Sequence, residues 1–123
     1  MSIVSTKNAP AAIGPYSQGV CINGFVFVSG QLPINPESGE MTGDIKEKTA
    51  QSLRNIAAVL EEAGSSLDKI VKTTIFVSDL SLFADVNQAY GEFFKENAPA
   101  RSCVQAAALP KGADIEIEAI AYV

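Results

Sequence analysis

A strand that is apolar on both faces constrains this chain more than any other feature. Asn23-Gly24 separates two runs, Ser17 to Ile22 and Phe25 to Ser29. Asn-Gly between such runs is the strongest short hairpin signal, because both residues accept the positive φ of a type I′ turn. Alternation in the second run puts Phe25, Phe27 and Ser29 on one face and Val26 and Val28 on the other. A sheet built on this hairpin has two apolar faces that need cover.

Helices can supply only part of that cover. Asp44 is placed to cap a helix from about Ile45 to Ala63, with Leu53, Ile56, Ala57 and Leu60 at helical spacing and Gly64 as the stop. Leu82, Val86, Tyr90 and Phe93 mark a second helix that ends before Pro99. Between them Ile70 to Val77 is rich in β-branched residues and apolar on both faces. Ser102 to Ala108 reads as a strand, Pro110 to Asp114 as a turn, and Ile115 to Val123 as a strand of period two. A further short strand is possible near Ile3–Ser5. The order is hairpin, helix, strand, helix, hairpin, which describes one α+β domain over residues 1–123 with a mixed sheet of five to six strands and two helices on one face. With no third helix, the second face is expected to be covered by another copy of the chain. The long ordered loop over residues 30–43 has the character of a functional segment.

Composition narrows the chemistry. The net charge is −5 and the nine Lys and Arg are scattered, which disfavours a nucleic-acid partner. The two cysteines, Cys21 and Cys103, make no disulfide framework, and there is neither a histidine nor a CxxC, so no metal site is expected. No run approaches the length of a membrane span, and the start lacks the basic and apolar regions of a signal peptide. A cytoplasmic protein with reduced thiols is the expectation.

Without histidine, acid–base work falls to carboxylates and thiols. Arg101, at a strand start, has the planar fork that grips a carboxylate through two parallel hydrogen bonds. Closing the Pro110–Asp114 turn so that Ala108 opposes Ile115 would put Arg101, Cys103, Glu116 and Glu118 on one face, whereas a slip of one residue would part the glutamates from Arg101. Cys103 reads equally as a small buried hydrophobe, since no group is placed to lower its pKa. Tyr16 and Ser29 stand at one edge of the first hairpin, and Gly30 would let a ligand approach the backbone, or merely opens the loop. Asn87 sits mid-helix, where propensity does not favour it. No nucleophile elbow, P-loop or dinucleotide signature is present.

Ile13-Gly14-Pro15-Tyr16-Ser17-Gln18, Val28-Ser29-Gly30-Gln31, Val71-Lys72-Thr73-Thr74, Pro99-Ala100-Arg101-Ser102-Cys103 and Ile115-Glu116-Ile117-Glu118-Ala119 together resemble the Rid family, the YjgF-type reactive enamine/imine deaminases, and its RidA branch in particular. The resemblance runs nearly end to end. It implies a chorismate-mutase-like fold, a homotrimer with clefts between subunits, no cofactor, and hydrolysis of 2-imino and 2-enamino acids to 2-keto acids and ammonia. It further implies that Arg101 holds the substrate carboxylate and Glu116, rather than Glu118, positions water. Tyr16, Ser29, Gly30, Asn87 and Cys103 would line the cleft. A small-ligand-sensing regulatory module and a holdase-type chaperone on the same scaffold are the alternatives. RNA cleavage, attributed to some relatives, suits neither the acidic charge nor the missing histidine.

Overall fold

The computed structural model describes residues 1–123. Six strands form one sheet: β1 (Ser2–Val4), β2 (Gly19–Ile22), β3 (Phe25–Gln31), β4 (Ile70–Val77), β5 (Ala100–Gln105) and β6 (Ile115–Tyr122). Two helices, α1 (Ile45–Glu62) and α2 (Phe83–Gly91), interrupt them. Strand order across the sheet is β1-β2-β3-β6-β4-β5, antiparallel throughout except for the parallel pair β4–β5 that α2 connects. The α+β architecture agrees with the sequence reading.

The first hairpin forms as its turn chemistry dictates. Asn23 and Gly24 take φ of 52° and 79°, and Ile22 pairs with Phe25 across the turn. Asp44 caps α1 by accepting the Glu47 backbone N–H at 2.9 Å. At the other end the Gly64 and Ser65 amides donate to the Glu61 and Leu60 carbonyls. The buried face of α1 includes Leu53, Ile56, Val59 and Leu60, while Ala57 is only half-buried. These side chains meet Val26, Val28, Ile75, Val77, Ile115, Ile117 and Ala121 in one core on the helix side of the sheet.

The pairing expected for the C-terminal strands fails. β5 and β6 do not form a hairpin. β5 lies parallel to the outer edge of β4, so Cys103 pairs with Ile75 rather than Ile120, and Gln105 with Val77 rather than Glu118. β6 passes β4 and inserts between β3 and β4. The crossing occurs at the end of β4, where the Ala106 amide donates to Val77 and the Ser78 amide to Asp114. The reason is burial. β6 alternates buried and more open residues along eight positions and has apolar surface enough for a central strand, whereas no residue of β5 is fully buried, which suits an edge.

The face opposite the helices has no cover within the chain. Phe25, Phe27, Val104 and Tyr122 remain 43–46% exposed there. No helix is long and apolar enough to cross a membrane.

Candidate active site, in two halves

The first half is a cleft built on a bulge. Val28 pairs with Ala119 but Gln31 with Ile117, so β3 carries one extra residue at Ser29-Gly30. The bulge sits beside Glu116, whose carboxyl lies over Gly30. A Cβ on Gly30 would come within 2.7 Å of Glu116 Cδ, so only glycine admits the carboxyl there. Ser29 Oγ donates to the Ser17 carbonyl at 2.5 Å, tying the bulge to the segment that presents Tyr16. The cleft is about 610 Å³ and Tyr16, Ser29, Gly30, Ile34, Lys111 and Glu116 are among its walls. Burial, reinforced by the like charge of Glu118, holds the Glu116 carboxyl above the ordinary glutamate range.

Two buried amides shape the cleft's rims. Gln18 accepts the Thr6 amide at 2.6 Å and donates to the Thr6 and Pro10 carbonyls at 3.1 and 2.8 Å. Asn55 on α1 donates to the Leu32 and Ile34 carbonyls at 3.1 and 2.9 Å, which pins the loop after β3. Both are almost fully buried, so their hydrogen bonds cannot be exchanged for water without loss.

The second half is a guanidinium on the helix side of edge strand β5. Arg101 Nη1 donates to Asn87 Oδ1 at 2.6 Å. Its Cζ lies 5.0 Å from the Tyr90 ring centre and 5.4 Å from that of Phe83. The two ion pairs in the chain, Lys48–Asp114 and Lys95–Glu92, leave Arg101 without a carboxylate partner. Cys103 is half-buried on the same strand, and burial pushes its thiol upward more strongly than the Arg101 charge lowers it. That is the wrong direction for a resting thiolate.

The structure thus brings Tyr16, Ser29, Gly30 and Glu116 together, and Asn87, Arg101 and Cys103 together, but separates the two groups. Arg101 is in register with Thr73, which faces the helices, while Glu116 is in register with Phe76, on the open face. The single face expected to carry Arg101, Cys103 and both glutamates does not exist within one chain, because the register on β4 sets Arg101 and Cys103 beside Thr73 and Ile75 on the helix side and Glu116 and Glu118 beside Phe76 and Thr74 on the other. Sequence reading also missed Gln18, Asn55, Phe83 and Tyr90. The spacing of Phe83, Asn87 and Tyr90, which places them on one helical stripe, was the available signal for the last two.

A carboxyl with a raised pKa over a glycine, and a guanidinium with no counter-ion on a bare sheet edge, mark out a class: a small α+β protein with one acidic and one cationic half-site. The family model described as Endoribonuclease L-PSP matches residues 6–123. A 2-iminobutanoate/2-iminopropanoate deaminase of Escherichia coli K12 is 54% identical over 121 residues, covering 96% of this chain and 94% of that protein. The YjgF gene product of E. coli superimposes with a TM-score of 0.96 at 50% identity, over 99% of this chain and 98% of the other. E. coli TdcF, solved with bound serine, gives 0.96 at 45% identity over 100% and 99%. The chain belongs to the Rid family, the YjgF-type group that this L-PSP model describes.

Proposed function

We propose that this protein is a hydrolytic deaminase that converts reactive 2-enamino and 2-imino acids, such as 2-aminoacrylate and 2-iminopropionate, to 2-keto acids and ammonia. The observation that carries the reading is the pair of complementary half-sites: an arginine without a counter-ion and a cleft with a half-buried carboxyl. Support comes from the relatives named as 2-iminobutanoate/2-iminopropanoate deaminases at 54% identity. TdcF with bound serine is a relative whose guest carries the carboxylate that Arg101 would grip.

Two half-sites on different surfaces of one chain complete each other when one copy's β5 edge meets the next copy's cleft. Such heterologous contact gives a ring where the rotation closes, and the resemblance to the Rid family implies that the ring is a trimer. The same ring offers the open sheet face, with Phe25, Phe27 and Tyr122, a partner to bury against. The reading is therefore a homotrimer with three clefts between subunits, working in the cytoplasm on a small carboxylate substrate.

In this cleft Arg101 holds the substrate carboxylate through paired hydrogen bonds and Asn87 steadies the guanidinium. Tyr16, Ser29 and the Gly30 backbone wall the rest of a small guest, and Cys103 packs against it. Water adds to the C=N carbon as the Glu116 carboxylate takes its proton. Glu116 returns that proton to the nitrogen to give the carbinolamine, then takes the carbinolamine hydroxyl proton and passes it to the amine nitrogen as the C–N bond breaks, so that ammonia leaves and the carbonyl of the keto acid forms. An enamine enters the same sequence after its carbon is protonated to give the imine. Imines hydrolyse unaided in water, so even a thousandfold gain requires only about 4 kcal/mol of barrier lowering, within reach of positioning plus one carboxylate. A net charge of −5 without histidine suits the ribonuclease reading poorly, since a phosphate backbone seeks a basic surface.

The test is keto-acid release from 2-iminopropionate generated in place by a serine dehydratase. Wild-type protein should accelerate release, and Arg101→Ala should abolish the acceleration while leaving the assembly intact. An active Arg101→Ala protein would overturn the clamp.

A further inference from the structure

The mechanism uses Arg101 as a clamp but does not explain what aims it. A long, flexible side chain on an exposed edge strand ordinarily samples many rotamers, and ordering it would weaken the binding of a small guest. Here three side chains of one α2 stripe converge on it. Phe83, Asn87 and Tyr90 stand four and three residues apart. Both rings lie within cation–π distance of the guanidinium carbon, at 5.4 and 5.0 Å, and Asn87 takes one Nη1 proton. Tyr90 is itself fixed. It is buried, its hydroxyl shares a 2.8 Å hydrogen bond with the buried Thr73 hydroxyl, and its ring packs on Phe94 with centres 4.6 Å apart. Thr73 in turn is the register partner of Arg101 on the neighbouring strand. The contacts close a circuit: Arg101 to Tyr90, Tyr90 to Thr73, and Thr73 back across the sheet to Arg101.

We propose that Phe83 and Tyr90, with Thr73 behind Tyr90, are positioning residues that bracket the Arg101 guanidinium and set its plane before the substrate carboxylate arrives. The inference rests on the reading of Arg101 as a carboxylate clamp. The rings take no hydrogen bond from the guanidinium and Asn87 takes a single N–H, so the remaining N–H donors stay available for two parallel bonds to one carboxylate. A lysine at position 101 would carry the charge but not the plane, so the bracket also accounts for an arginine here.

The experiment measures binding of pyruvate, a stable 2-keto acid, alongside imine turnover in Phe83→Leu, Tyr90→Leu, Phe83→Tyr and Tyr90→Phe. The half-buried Phe83 is the safer site, because Tyr90 belongs to the core. Phe83→Leu should weaken pyruvate binding and raise KM by about five-fold, with kcat changed far less, as loss of one cation–π contact implies. Phe83→Tyr keeps the ring and should bind nearly as wild type, whereas Tyr90→Phe keeps its ring but loses the bond to Thr73 and should fall between wild type and Phe83→Leu. In an Arg101→Ala background Phe83→Leu should leave the residual affinity where it was. Unchanged binding in Phe83→Leu, or an equal loss when Arg101 is already absent, overturns the bracket. The two readings separate cleanly. Turnover with no dependence on the rings removes the bracket alone, whereas ring-dependent pyruvate binding without turnover removes the deaminase alone.

Discussion

In the proposed mechanism the chemistry turns on Glu116. Its side chain sits over Gly30, and burial together with Glu118 raises its pKa. Glu116→Gln cannot accept a proton and should lower kcat by about a hundredfold with folding preserved, the ordinary loss for a missing general base. The carboxylate form disappears as pH falls through the raised pKa, so activity should fail earlier in acid than an unperturbed glutamate would allow. Glu118→Gln removes a like charge, lowers the Glu116 pKa, and should move the acid limb of the rate profile to lower pH. A larger loss of kcat in Glu118→Gln than in Glu116→Gln would reverse the assignment. Cys103→Ser should be mild in steady-state assays, since the thiol is held protonated. Arg101 and Cys103 were legible as residues because arginine and cysteine occur only twice each, and Glu116 and Glu118 because they alternate with apolar residues along one strand of a chain without histidine. Their grouping was not, because it depends on which strands pair.

The errors in reading the chain arise from elements, and they share one cause. Local chemistry announced the Asn23-Gly24 turn and the Asp44 cap, and both formed as expected. The link between β5 and β6 looked equally local, but pairing there is decided by the whole sheet. Strands β3 and β4 were left with a gap that only another strand could fill, and β6, with Ile115, Ile117, Ala119 and Ala121 facing the helices, fitted it. Nothing in a period-two pattern says which neighbour a strand will choose. Asn55 was invisible for a related reason: a polar residue on a helix reads as solvated until the loop it holds is known. Asn55→Leu would leave the Leu32 and Ile34 carbonyls without their donor. It should cost about 1–3 kcal/mol in denaturant unfolding and raise KM by loosening the cleft wall.

On the scale of the whole molecule, the apolar open face and the divided site make one demand. Each is incomplete in a single chain, and in the proposed assembly each is completed by a neighbour. Phe27→Lys would place a charge in the middle of that face and should yield a lighter, inactive species in sedimentation. The most direct measurement is subunit mixing. Arg101→Ala and Glu116→Gln proteins, each inactive alone, are denatured together in equal amounts and refolded, and keto-acid release is assayed. If each cleft takes its arginine from one copy and its glutamate from the next, about one quarter of the sites regain both groups, and activity returns to roughly that fraction of wild type. A mixture as inactive as its two components would contradict a site shared between copies.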